Sequence, residues 1–84
     1  MSKGKHLDRV LDGSSDANIR FDDLCQLLES LGFVRRIRGG HQIFRRAGIA
    51  DLINLQRDGT NAKPYQVRQV RGVILRYKLG EASE

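Results

Sequence analysis

Two successive glycines, Gly39-Gly40, separate the runs FVRRIR (33–38) and HQIFRR (41–46). No other feature constrains the fold of this chain as strongly. Short β-prone runs joined by two glycines predict a two-residue hairpin, with positive φ expected at both central positions. In that register Arg38 faces His41, Arg36 faces Ile43 and Arg35 faces Phe44. Partners directly opposite share a face of the sheet, and faces alternate along each strand. One face then carries Phe33, Arg35, Ile37, Gln42, Phe44 and Arg46, and the other carries Val34, Arg36, Arg38, His41, Ile43 and Arg45. Both phenylalanines and Ile37 mark the first face as the one that helices cover. The second is expected to stay open, with His41 among arginines. A slip of one residue would exchange the two faces.

Helical patterns flank the hairpin. In residues 5–12 (KHLDRVLD), Leu7, Val10 and Leu11 fall at helical spacing and Gly13 follows as a stop. A helix this short needs something to dock on. The segment GSSDAN (13–18) reads as a polar turn. Phe21, Leu24, Leu27, Leu28 and Leu31 then form one apolar stripe, with Asn18 as a candidate cap, Asp22 and Asp23 at the positive end of the helix dipole, and Gly32 as a stop. Cys25 flanks that stripe as a small packing residue. After the hairpin, Gly48 marks a turn, IADLINL (49–55) a third strand and QRDGTNAK (56–63) a polar loop. Pro64 opens a last helix running to Leu79, with Val67, Val70, Val73, Ile74 and Tyr77 on its apolar face. Leu75 and Leu79 are assigned to cover by the N-terminal helix, with a partner-binding strip as the alternative. Gly80 closes the helix, and residues 81–84 are expected to fray.

The expected architecture is an α+β fold: a three-stranded antiparallel sheet with two helices on one face, plus a short N-terminal helix. This matches the arrangement of double-stranded-RNA-binding domains. In domain terms, residues 1–17 form the N-terminal helix and linker, 18–80 the main domain and 81–84 a tail. An 84-residue chain has room for one core. No apolar run approaches the roughly 20 residues of a membrane span, and the N-terminus lacks an apolar leader. A single cysteine excludes an internal disulfide and a cysteine-built zinc site. Together these features point to a cytoplasmic location.

Charge separates the two ends of the chain. Residues 1–34 carry four basic and six acidic side chains, whereas residues 35–84 carry eleven basic and four acidic ones. That excess, mostly arginine, suits attraction to a polyanion and planar recognition of phosphate. The chain contains no phosphate-binding glycine loop with its lysine and no GxSxG elbow, and His6 and His41 belong to no metal-ligand cluster. Asp22 and Asp23 point about 100° apart on a helix and do not make a paired carboxylate site.

His41 stands out for its surroundings. It follows two glycines that allow close approach of a nucleotide, and Arg36, Arg38 and Arg45 flank it on the inferred sheet. Histidine is suited to proton transfer near neutral pH, and arginine to holding a phosphate and its developing charge. RNA brings its own nucleophile, the 2′-hydroxyl, so such a site needs no metal or cofactor. A purely structural or merely exposed strand histidine is the alternative.

The segments FDDLCQLLESLGF (21–33), RGGHQIFRR (38–46) and AKPYQVRQVRGVI (62–74), in that order and spacing, resemble the HicA family of toxins. The resemblance covers roughly residues 18–79 and rests on Leu-Gly-Phe, Gly-x-His and Gln-Val-Arg-Gln taken together. It implies a double-stranded-RNA-binding-like fold, messenger-RNA endoribonuclease activity that stops translation, and neutralisation by a partner antitoxin, HicB. The family's catalytic histidine, in a Gly-Ser-His-like motif, aligns with His41. Here Gly40 stands in place of the serine. The RNA contacts expected are Arg36, Arg38 and Gly40, with Lys63, Arg68 and Arg71 as further candidates for the backbone. Two other readings stay open: a non-catalytic RNA-binding module of the same fold, and a protein-interaction domain using Leu75 and Leu79.

Overall fold

A computed structural model describes residues 2–80 of the chain, with side chains from His6 onward. The elements are α1 (Ser2–Asp12), a single 3-10 turn (Asp16–Asn18), α2 (Phe21–Ser30), β1 (Val34–Arg38), β2 (His41–Arg45), β3 (Ile53–Gln56) and α3 (Pro64–Arg76). The strands form one antiparallel sheet in the order β1-β2-β3. The chain thus has the expected α+β architecture, and the tail 81–84 lies outside the described residues.

Phe44 fixes which face of this sheet turns inward. It is completely buried, together with Ile53 and Leu55 of β3 and with Phe33 just before β1. The helices bring Phe21, Leu24, Leu27 and Leu28 from α2, and Val67, Val70 and Ile74 from α3, to the same core. Arg35 shares the inward face and is fully accommodated there. It donates to Gln42 at 3.0 Å, pairs with Glu29 at 3.2 Å and lies over the Phe44 ring at 5.9 Å. Cys25 packs in this core, and burial pushes its thiol up to about 11, so it serves as a small apolar filler.

The helix termini are joined by backbone pairing. Phe21 N–H donates to Thr60 C=O and Ala62 N–H to Ile19 C=O, both at 2.8 Å, which ties the entry of α2 to the entry of α3. Gln66 is the one buried polar side chain among the described residues, and it is satisfied at both ends. Its Oε1 accepts from Lys63 N–H at 3.2 Å, and its Nε2 donates to Gln56 C=O at 3.0 Å, which fixes α3 to the end of β3.

Several boundaries differ from the sequence expectation. α2 is preceded by Arg20, with no side-chain cap, while Asn18 belongs to the 3-10 turn. The pairing of residues 19–21 with 60–62 sets the start of this helix instead. The third strand begins at Ile53, four residues later than the expected 49. α3 stops at Arg76, because Lys78 adopts a left-handed φ of 55° that lets Leu79 turn back toward α1. Leu79 is buried as expected, but Leu75 is 61% exposed. Ile37 lies on the inward face by register yet is 63% exposed, since it sits near the hairpin end of the edge strand β1.

α1 belongs to the core. Val10 is buried, Leu7 packs against the cluster, and a Cβ on Gly80 would come within 2.6 Å of Leu7 Cδ2. Arg71 of α3 fastens this helix and the turn after it. Its guanidinium donates to Asp16 through two bonds, 2.8 and 3.1 Å, and to the Val10 carbonyl at 3.1 Å. Hydrogen bonds from Arg71 hold the Asp16 carboxyl below the usual carboxylate range. A depressed carboxyl stabilises the fold above its unfolded pKa of about 3.9, and that contribution drains away as pH falls through the folded value. Asp16→Asn should therefore lower stability at neutral pH by about 1–3 kcal/mol. In urea titrations its deficit should shrink as pH drops from about 5 toward 3. A deficit that stays constant with pH would mean the ion pair is not its source.

Candidate functional site

The outward face of the sheet is laid out in rows across the strands. Arg38, His41 and Gln56 are successive Cα partners, as are Arg36, Ile43 and Asn54. Val34 pairs with Arg45 in the next row. Each expected pairing across the Gly39-Gly40 turn is present, so the sequence placed His41 on the correct face. Direct cross-strand neighbours have Cβ atoms about 4.5–5.5 Å apart and diagonal ones about 7–8 Å. Arg38 and Gln56 are therefore direct neighbours of His41, with Arg36 and Asn54 on its diagonals.

The His41 ring is exposed, and its Nδ1 lies 3.2 Å from Asn54 Oδ1. An amide oxygen only accepts, so with Asn54 Oδ1 as partner the ring donates from Nδ1, and in the neutral ring Nε2 is then the nitrogen that can accept a proton. A strand-to-strand hydrogen bond thus orients the one imidazole on this face and makes Nε2 the accepting nitrogen of the neutral ring. Asn54 and Gln56 were not among the sequence candidates. Alternation from Ile53 and Leu55 sets Asn54 outward, and the earlier expected start at Ile49 keeps that parity, whereas Gln56 fell in the expected loop 56–63.

The cations divide into two groups. Arg57 pairs with Asp22 and stacks over Phe21 at 4.7 Å, while Arg76 pairs with Asp51. Arg35 and Arg71 are held as described above. Lys63 pairs with Asp58 at 2.7 Å, which holds the Asp58 carboxyl down and the Lys63 ammonium up. Arg36, Arg38 and Arg45 are exposed and have no carboxylate partner among the described residues. None of the three strands contains an aspartate or glutamate. The open face therefore presents uncompensated guanidinium groups around His41, and their field is attractive to a phosphate.

Of the sequence-predicted contacts, the sheet brings together His41, Arg36, Arg38 and Gly40. Arg71 is consumed by Asp16 and Val10, and Lys63 stands beside Asp58 at the start of α3. Arg68 lies on α3, exposed and without a carboxylate partner among the described residues. No three His, Cys, Asp or Glu side chains gather into a metal-binding group among the described residues, and no described helix is long and apolar enough to cross a membrane. No family model, curated protein or solved structure matches the chain.

The hairpin also corrects one expectation. Gly39 has φ 57°, but Gly40 is not in the positive-φ region, the pattern of a type II′ turn in which only the first central residue is left-handed. A Cβ on Gly40 would meet nothing closer than Gln56 Nε2 at 3.9 Å. Serine therefore fits at position 40 and not at 39. By thermal denaturation, Gly40→Ser should change stability by no more than about 0.5 kcal/mol. Gly39→Ala, which forces a Cβ into the left-handed region, should cost about 1–2 kcal/mol. Equal costs at both positions would contradict this turn assignment.

Proposed function

We propose that the chain is an endoribonuclease that cuts messenger RNA without a metal, the toxin of a toxin–antitoxin pair of the HicA kind. The observation that carries this reading is the His41–Asn54 contact on an open sheet face whose arginines have no carboxylate partners. That arrangement offers a base and a phosphate clamp side by side, and RNA supplies the remaining reactant.

In the proposed reaction, His41 Nε2 takes the proton of a ribose 2′-hydroxyl. The 2′-oxygen attacks the adjacent phosphorus while Arg36 and Arg38 hold the non-bridging oxygens, where negative charge grows. The bond from phosphorus to the 5′-oxygen breaks, leaving a 2′,3′-cyclic phosphate on one fragment. The departing 5′-oxygen takes a proton from the imidazolium or from water and becomes a 5′-hydroxyl. Asn54 keeps the ring oriented throughout by accepting from Nδ1–H. A backbone exposed at Gly40 allows the ribose to come close. An antitoxin of the HicB kind would act by covering this face, and carboxylates at its contact surface would match the arginines.

The same unpaired arginines would also serve an RNA-binding module that performs no chemistry, so binding alone does not separate the readings. Cleavage does. Purified protein incubated with a single-stranded transcript in EDTA should cut it, and His41→Ala should lower the rate by at least ~100-fold while leaving the melting temperature unchanged. Asn54→Ala should fall between wild type and His41→Ala, since it loosens the ring without removing it. Near-normal cleavage by folded His41→Ala protein would remove the proposal.

A further inference from the structure

An open groove of about 360 Å³ lies where the loop before β3 meets α3, lined by Asp51, Leu52, Arg68, Gln69, Gly72 and Arg76 with Val73 behind them. Its size falls in the range of small-molecule sites, roughly 300–1,000 Å³. The unusual member is Gly72. Glycine weakens a helix interior, and here nothing in the chain requires it. Its φ is not positive, and an added Cβ would meet no atom within 4 Å. The missing side chain leaves the floor of the groove bare, a feature expected where something flat must come close to the helix.

Arg68 and Arg76 stand four residues to either side of Gly72, on the same stripe of α3. Arg76 is bonded to Asp51, and the Tyr77 hydroxyl donates to the same carboxylate at 3.5 Å, so the groove's acid is already engaged. Arg68 has no carboxylate partner among the described residues. The groove lies at the β3 edge of the sheet, where α3 meets the loop before that strand. Leu52, 46% exposed, forms one wall from the loop that leads into β3, the strand that carries Asn54. Asn54 holds His41.

We infer that this groove is a subsite for a nucleotide of single-stranded RNA outside the scissile pair, its base lying over Gly72 against Leu52 and its phosphate held by Arg68. The inference rests on the RNA-cleaving reading above. A protein ligand fits the groove less well, because interface hot spots centre on large apolar or aromatic anchors and Leu52 is the one exposed apolar side chain in the lining.

The test compares Gly72→Leu and Arg68→Gln, each in the His41→Ala background for binding and in the wild-type background for cleavage. The probes are a mixed-sequence RNA decamer and RNA dinucleotides. Gly72→Leu should raise the melting temperature, because it replaces a helix-interior glycine with a good helix former in open space, yet weaken decamer binding by roughly 5-fold or more. Arg68→Gln should weaken it as well and lower the log–log salt slope by ~0.7. In cleavage both variants should raise KM for the decamer with kcat held, and leave dinucleotide cleavage unchanged. If His41-dependent cleavage is present but neither variant alters decamer affinity, salt slope or KM, the subsite is overturned while the nuclease reading stands. Variants that leave RNA untouched and weaken a protein complex overturn it likewise. A wild-type protein that neither binds nor cuts the decamer overturns both.

Discussion

The burial of Phe44 is the constraint on which the rest of the molecule depends. It lies three residues from His41 on β2, and strand alternation therefore commits the imidazole to the opposite face once the phenyl ring enters the core. Ile53 and Leu55 repeat the same commitment on β3 and turn Asn54 and Gln56 outward. The polar face owes its composition to the apolar one, since each inward side chain anchored beneath the helices fixes its neighbour above. A one-residue slip of β2 would bury His41 with Arg45 and expose Phe44, so the register that builds the core is also the one that builds the candidate site.

The second organising fact is how carboxylates are distributed. The acids of the helices and loops are used to hold the scaffold: Asp16 fastens α1 to α3, Glu29 accompanies Arg35 at the inner sheet face, Asp22 accompanies Arg57 and Asp51 accompanies Arg76. None stands on the strands. A protein of net charge +5 could spread its excess evenly, but here uncompensated arginines share a face with the one outward-facing histidine of the sheet. Arginines held by carboxylates and arginines left unpaired on the sheet can thus be told apart by their partners, although composition treats them alike.

Much of this was legible in the sequence, and the parts that were not share a physical cause. The Gly39-Gly40 pair and period-two alternation were sufficient to place His41, Arg36 and Arg38 together, because hairpin register is local. Arg71 and Lys63, expected as further candidates for RNA backbone contacts, pair with Asp16 and Asp58, partners brought to them by tertiary folding or by loop geometry that periodicity does not encode. Ile37 looked like core by parity, but parity does not say where the helices end above an edge strand. The start of β3 was blurred by Ile49, which packs against the core from a loop and so mimics a strand residue. Asn54, the side chain that turns an exposed histidine into an oriented one, was hidden for another reason: it meets His41 only through the β2–β3 pairing, 13 residues away in sequence.

The central claim is that the protein supplies a base and a cationic clamp while RNA supplies the nucleophile. The most direct measurement is end-group analysis of a single-stranded RNA after incubation with the protein in EDTA, beside the same oligonucleotide carrying 2′-deoxyribose throughout. Fragments ending in 2′,3′-cyclic phosphate and 5′-hydroxyl, with the deoxy oligonucleotide intact, are the result the account predicts. Cleavage of the deoxy strand, or fragments bearing a 5′-phosphate, would contradict it.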